Sequence, residues 1–266
     1  MHKEKRMKYK YLQPDVEHIA REAGRIILGF GEFRVEEKEG HGNFVTTVDC
    51  AVQDYLAKAL SELLPDSRFI GEEQENDALT DAPTWVIDPV DGTCNLIHNY
   101  RHSAVSIALL ENKQPVLGAV YQPYTNELFF ALKDGGATLN GEKISVSSHP
   151  FDHALVCFGT SPYHPALAER SMKIALDFLL NTADIRRSGS AALDLAYVAS
   201  GRQDVYFEIT LKPWDFAAGA LLVTEAGGKL LMPFEDGKIR FDCSRGILAA
   251  NAVCADEALK LIQNTP

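Results

Sequence analysis

Asp88 and Asp91 stand three apart in the stretch Trp85-Val86-Ile87-Asp88-Pro89-Val90-Asp91-Gly92-Thr93-Cys94-Asn95, where a short apolar run stops at an acid and the chain turns. Pro89 fixes its own φ and holds Asp88 extended, and Asp91-Gly92 is a strong turn pair, so both carboxylates fall at the end of a strand. An isolated Asp-Gly makes no more than a solvated turn. Here other acids follow apolar runs in the same way: Arg68-Phe69-Ile70-Gly71 leads into Glu72-Glu73, Asp204-Val205-Tyr206-Phe207 leads into Glu208, and Trp214-Asp215 opens a helix of small residues. If these strands share a sheet, Glu72, Asp88, Asp91 and Asp215 converge where α/β sheets commonly hold their ligands. Carboxylates so gathered either keep their protons or recruit cations. Oxygen donors with no nearby His or Cys pattern favour Mg2+ or Mn2+ over Zn2+.

Two helix starts add candidates. Asp49 stands at or near the beginning of an apolar-faced helix, where its plain role is capping. Ser190, in Arg187-Ser188-Gly189-Ser190-Ala191-Ala192, reads as an N-cap, and free N–H groups at such a start can also hold an anion or a sugar hydroxyl.

These residues need a scaffold. Pro14 and Asp15 open a first helix with Val16, Ile19, Ala20, Ala23 and Ile27 on one face. The charged stretch 33–47, with Gly40-His41-Gly42-Asn43 inside it, reads as a mobile loop, and His41 as a solvated loop residue. The helix at Asp49 carries Val52, Leu56, Leu60 and Leu63 on its apolar face until Pro65 stops it. Strands are predicted over 103–110, 115–121 and 127–132, and Asn140-Gly141 marks a hairpin turn. Beyond a boundary at His149-Pro150, strands over 154–158, 185–187, 205–208, 229–232 and 246–250 alternate with helices near 166–180, 190–200, 214–226 and 255–263. The expected organisation is a basic disordered arm over 1–13, an α+β half over 14–150 carrying most of the acids, and an α/β half over 151–266 that completes the site.

Composition bounds the function. The chain has 266 residues, 46% of them apolar, enough to bury a substantial core. Its 26 basic and 37 acidic residues give a net charge of −11, which argues against general nucleic-acid binding. Cys50, Cys94, Cys157, Cys243 and Cys254 are odd in number and scattered, so neither a disulfide framework nor a zinc site is indicated, and a reducing cytoplasm fits best. No signal-peptide core follows the basic start, and no run of about 18 apolar residues occurs, so neither secretion nor membrane insertion is expected.

Gly71-Glu72-Glu73, the segment from Trp85 to Asn95, and Trp214-Asp215-Phe216-Ala217-Ala218-Gly219 resemble the three signatures of the inositol monophosphatase family, in their usual order. The resemblance implies an α/β fold, α+β by some schemes: the layered α-β-α-β-α sandwich of the inositol monophosphatase and fructose-1,6-bisphosphatase type. It implies hydrolysis of small phosphate monoesters with Mg2+ and an attacking water. By the same resemblance Glu72, Asp88 and the Val90 carbonyl hold one Mg2+, while Asp88, Asp91 and Asp215 hold a second. Glu72 and waters hold a weaker third. Thr93 orients the attacking water with Asp49 nearby, and the N–H groups of Gly92 and Thr93 cradle the phosphate beside Asp91 and Asp215. Gly189, Ser190 and Ala191 contact substrate through main-chain atoms, and Glu208, seven residues before Asp215, takes a substrate hydroxyl. Cys94 and Leu96 depart from residues common in the family and bear on substrate preference rather than on metal binding.

The expectation is therefore a cytoplasmic, lithium-sensitive homodimer, a phosphatase of inositol monophosphate or a similar polyol phosphate. Fructose 1,6-bisphosphate, 3′-phosphoadenosine 5′-phosphate, NADP and histidinol phosphate are the alternative substrates. A phosphatase using a D-x-D-G-T aspartyl nucleophile is rejected, because Asp88 and Asp91 have the wrong spacing for it. The rival outside enzymology is a partner protein in bacterial transcription complexes.

Overall fold

The computed structural model describes residues 8–38, 43–74, 76, 78–234 and 237–265. Helix α1 (Gln13–Gly29) starts on Pro14, whose missing N–H costs nothing in a first turn, and buries Val16, Ile19, Ala20, Ala23 and Ile27. Strands β1 (Val35–Glu37) and β2 (Phe44–Thr46) pair antiparallel, and α2 (Thr47–Leu63) follows directly. The loop expected over 33–47 is thus corrected to a hairpin. Its first strand is fully exposed, so Glu36 and Glu37 face water and no period-two apolar pattern betrays it. Gly40 and His41, the centre of the expected mobile loop, lie outside the described residues.

The first sheet runs in the order β3 (Arg68–Gly71), β4 (Thr84–Asp91), β5 (Ala104–Glu111), β6 (Gln114–Gln122), β7 (Glu127–Leu132), β8 (Gly136–Leu139) and β9 (Glu142–Lys143). β3 and β4 are parallel and the rest form an antiparallel meander. A short helix α3 (Thr93–Ile97) leaves the end of β4. In the second sheet β10 (Leu155–Phe158) sits between β11 (Asp184–Arg186) and β12 (Val205–Leu211), parallel to both. β14 (Arg245–Ala250) pairs antiparallel with β12 and with β13 (Lys229–Leu231). β13 and β14 follow one another without a helix among the described residues, as the strands expected over 229–232 and 246–250 do. The remaining helices are α4 (Ala168–Asn181), α5 (Ala191–Ala199), α6 (Pro213–Glu225) and α7 (Ala255–Asn264).

Side-chain alternation stacks these elements in layers. Along β4, Trp85 and Ile87 join α1 and α2 in one core, while Val86 joins α5 and α6 in another. Along β12, Tyr206 faces that same α5/α6 core, while Val205 and Phe207 pack with Ile174 and Phe178 of α4 and Ala258 and Ile262 of α7. The result is the α-β-α-β-α sandwich. Helix α6 is buried almost all round, Phe216, Ala217, Ala218, Leu222 and Val223 included, as a helix between two sheets must be. Truncating the fully buried Phe216 to Ala would remove about 3–5 kcal/mol of packing.

The described part of the basic arm is not disordered. Tyr9 and Leu12 are buried against the first core, Lys8 Nζ lies 2.6 Å from Glu111 Oε1, and the Tyr9 hydroxyl lies 2.9 Å from the same oxygen. Two apolar anchors outweigh the local charge pattern; the basic residues Lys3, Lys5 and Arg6 lie outside the described residues. Among the described residues no helix is long and apolar enough to cross a membrane.

Candidate active site

The acids meet because β4 carries a bulge. Asp88 pairs with Ser106 and Asp91 with Ala104, so three steps on β4 match two on β5. In a regular strand residues three apart point to opposite faces; the extra residue returns Asp91 to the face of Asp88. Val90 is left buried in the core on the other side, and its N–H donates to Asp88 Oδ1 at 3.0 Å. Gly92 then turns the chain with φ +89°, and a Cβ there would sit 3.1 Å from two carbonyl oxygens, those of Gly189 and His102.

Asp215 arrives from the second half. It stands in the first turn of α6 after Pro213, and its Oδ2 accepts the Lys212 N–H at 2.7 Å, which fixes the carboxylate at the helix start. Among the described residues, carboxylate oxygens of Asp88, Asp91 and Asp215 all lie within 4.8 Å of one another. Burial, and then repulsion from Glu72, Asp91 and Asp215, drives the Asp88 carboxyl far above its ordinary range. Asp215 is raised for the same reasons, against the relief of the Lys212 N–H. Asp91 is pushed up to about 7 by burial, although Ser190 and Ala192 hydrogen bonds pull it down. Two buried acids and a half-buried third, all with raised proton affinity and offering oxygen donors alone, form a site that fits a hard divalent cation.

Glu72 lines the same cleft, but its Oε1 lies 3.2 Å from Lys38 Nζ, outside the three-aspartate group. Lys38 also contacts Glu73. Burial pushes Glu72 up to about 7, with Lys38 opposing and Glu73 adding to the shift.

Asp49 does two things. Its Oδ2 accepts the N–H and hydroxyl of Thr46 in a reciprocal capping box, and its Oδ1 lies 2.9 Å from Thr93 Oγ1. Thr93 Oγ1 is also 3.1 Å from the Val90 carbonyl, so one hydroxyl proton serves two acceptors in turn. Burial raises Asp49 against those hydrogen bonds.

The opposite wall comes from the segment after β10, the start of α5 and β12. Ser190 caps α5 through Leu193 N–H and donates its hydroxyl to Asp91 Oδ2, which also accepts Ala192 N–H at 2.8 Å. Asn95 Nδ2 donates to the carbonyls of His102 and Ser188 at 2.7 and 3.0 Å, tying the turn after Asp91 to the Gly189–Ala191 segment. Glu208 sits where β12 bulges before Leu211, buried to 7% exposure. Glu72, Asp88, Val90, Asp91 and Asp215 line one cleft of about 450 Å3 with Gly92, Thr93, Gly189, Ser190, Ala191 and Glu208, while Asp49 stands behind Thr93 and outside that lining.

Sequence reasoning passed over Ser161, Tyr206 and Asp194, which also line the cleft. Asp194 is held near 6 by burial and accepts hydrogen bonds from Ser188, Cys157 and Gln203. Ser161 follows the predicted strand over 154–158, the same strand-end signal that marked the acids, and Tyr206 is the same-face neighbour of Glu208 at period two.

Five alternating layers with an acid cluster at the strand ends define a layered α/β protein with a candidate divalent-metal site. The chain belongs to the inositol monophosphatase family, whose model matches residues 10–265. It is 38% identical to an inositol monophosphatase of Dictyostelium discoideum over 97% of this chain and 96% of that one. It is 44% identical to the Nus factor SuhB of Xylella fastidiosa over 70% of this chain and 68% of that one. Among solved structures, the extragenic suppressor protein suhB of Bartonella henselae aligns with a TM-score of 0.89 and 30% identity, covering 96% of this chain and 100% of that one. An IMPase/NADP phosphatase complexed with Mg2+ and phosphate aligns with a TM-score of 0.81 and 25% identity over 95% and 93% of the two chains.

Proposed function

We propose that the chain is a Mg2+-dependent phosphomonoesterase acting on inositol monophosphate or a similar polyol or sugar phosphate. The observation that carries this reading is the convergence of Asp88, Asp91 and Asp215 within 4.8 Å at one end of a cleft whose other wall presents Glu208. Glu72, Asp88 and the Val90 carbonyl are assigned to one ion, and Asp88, Asp91 and Asp215 to another. Bound there, Mg2+ supplies charge neutralisation for phosphate oxygens, a lowered pKa for water and help for the leaving alkoxide. The Mg2+ and phosphate bound to the related IMPase/NADP phosphatase support that choice of metal.

Thr93 Oγ1 can accept a hydrogen bond from the attacking water while its own proton points to Asp49 Oδ1. Asp49, its proton affinity raised by burial, is the group placed to receive that proton. The N–H groups of Gly92 and Thr93 are assigned to phosphate oxygens, and the main chain of Gly189, Ser190 and Ala191 with the Glu208 carboxylate to the leaving polyol. The test is a phosphate-release screen over inositol, sugar and nucleotide phosphates, including NADP and fructose 1,6-bisphosphate, with Mg2+ or with EDTA. Release from inositol monophosphate that stops in EDTA supports the reading, and no release from any ester ends it.

The likeness to a Nus factor favours a second reading, a partner protein in bacterial transcription complexes. The net charge of −11 argues that such a role would run through protein contacts rather than RNA. An Asp88→Asn variant that loses turnover yet captures transcription proteins from a bacterial lysate would support it. A homodimer is part of the first reading, and sedimentation analysis checks it.

A further inference from the structure

Glu208 has more partners than a lone substrate acceptor needs. Its Oε1 accepts the Ser161 N–H at 2.7 Å and lies 3.1 Å from the Ser161 hydroxyl. Its Oε2 accepts the Tyr206 hydroxyl at 2.7 Å. Both partners are buried, Ser161 at 3% exposure and Tyr206 at 0%. Ser161 reaches Glu208 from a left-handed backbone, φ +43°, a conformation a serine adopts at a cost. Its hydroxyl is also 3.0 Å from the Thr210 carbonyl, which anchors the loop on the far side of the β12 bulge. Gly159 makes room: a Cβ there would lie 1.8 Å from Oε2 and 2.1 Å from Cδ of Glu208.

We infer that Tyr206 and Ser161 are positioning residues that clamp the Glu208 carboxylate so that it reads a single hydroxyl of the leaving alcohol. A carboxylate offers about four acceptor sites, two on each oxygen. The Ser161 N–H takes one site on Oε1, the Ser161 hydroxyl shares its single proton between the other and the Thr210 carbonyl, and Tyr206 takes one on Oε2, which leaves the second site on Oε2 for substrate. The clamp therefore selects phosphate esters whose alcohol carries a second hydroxyl within reach of Oε2, and it distinguishes them from esters of simple alcohols. This rests on the phosphatase reading and deepens it by assigning selectivity to groups that act through Glu208.

The test compares Tyr206→Phe and Gly159→Ala with the parent chain in Mg2+, on inositol monophosphate and on p-nitrophenyl phosphate, whose leaving group has no further hydroxyl. The first variant removes the donor to Oε2 while keeping the ring; the second pushes the carboxylate aside by contact. The expected result is a fall of about tenfold in the ratio of kcat/KM for inositol monophosphate to that for p-nitrophenyl phosphate, carried by KM, since a charged hydrogen bond is worth at least that factor. A structural role alone would lower both substrates in proportion and leave the ratio where it was, and that result overturns the clamp. So does a fall in the ratio carried by kcat. If Tyr206→Phe does not fold, Gly159→Ala and Ser161→Ala carry the same readout. Parent chain that hydrolyses neither ester defeats the phosphatase reading itself, an outcome distinct from an unmoved ratio.

Discussion

Asp91 Oδ2, at the end of β4, accepts the Ala192 N–H at 2.8 Å and the Ser190 hydroxyl, so one carboxylate binds the first half of the chain to a helix start of the second. The carboxylate thereby sits at the positive end of α5, where a negative charge is favoured.

Ser190→Ala removes both this donor and the cap of α5. A hydrogen bond to a charged, buried partner and an N-cap together suggest a loss of about 2 kcal/mol. Urea unfolding should show a lower midpoint with the slope unchanged. A change under about 0.5 kcal/mol would mean that the two halves are held elsewhere.

Asp88→Asn takes one charge from the centre of the acid cluster. Outer-shell partners of metal ligands alone are worth roughly 10–100-fold, so under the proposed assignment of Asp88 to two ions its loss should cost more than about 100-fold in kcat/KM. Steady-state turnover on inositol monophosphate at saturating Mg2+ measures it. Near-normal turnover would remove Asp88 from the site.

The acid cluster also sets a pH dependence in the metal-free chain. Glu72 and Asp91 are held near 7 in the folded state, while free carboxylates titrate near about 4. Between those values the folded chain keeps protons that the unfolded chain has released. Stability that is full below about pH 4 is therefore lost as pH climbs through about 7. Thermal scans in EDTA should show Tm falling across this window, and under the proposed Mg2+ binding to the folded chain, added Mg2+ should restore most at the upper end. A Tm in EDTA that holds level or rises from about pH 5 to 8 contradicts the cluster's energetics.

The acids were legible because each follows an apolar run, and chemistry at a strand end needs no long-range information. Their common face was not. Asp88 and Asp91, three apart, would diverge in any regular strand; the local sign of the bulge that reunites them is Pro89, which cannot donate to a sheet ladder and reads equally well as a turn. The same limit hid β1, whose Glu36 and Glu37 are exposed, and the approach of Lys38 to Glu72 across 34 positions. The α-β-α-β-α layering was legible through resemblance. The antiparallel close of the second sheet was not, because pairing of β14 with β12 depends on contacts far apart in sequence.

Thr93 gives the sharpest test of how water is handled. Its hydroxyl lies 2.9 Å from Asp49 Oδ1 and 3.1 Å from the Val90 carbonyl, the only proton it owns shared between a buried acid and a backbone acceptor. Thr93→Val keeps the shape and removes the hydroxyl, which strips Asp49 Oδ1 of that donor and, under the proposed mechanism, leaves the attacking water without its acceptor. Loss of positioned proton transfer costs about 100-fold or more in kcat. Thr93→Ser restores the hydroxyl and should recover most of that rate, while KM for inositol monophosphate stays close to the parent value in both variants. Equal kcat in the valine and serine variants would show that the hydroxyl does no proton chemistry and that Asp49 serves only to cap α2.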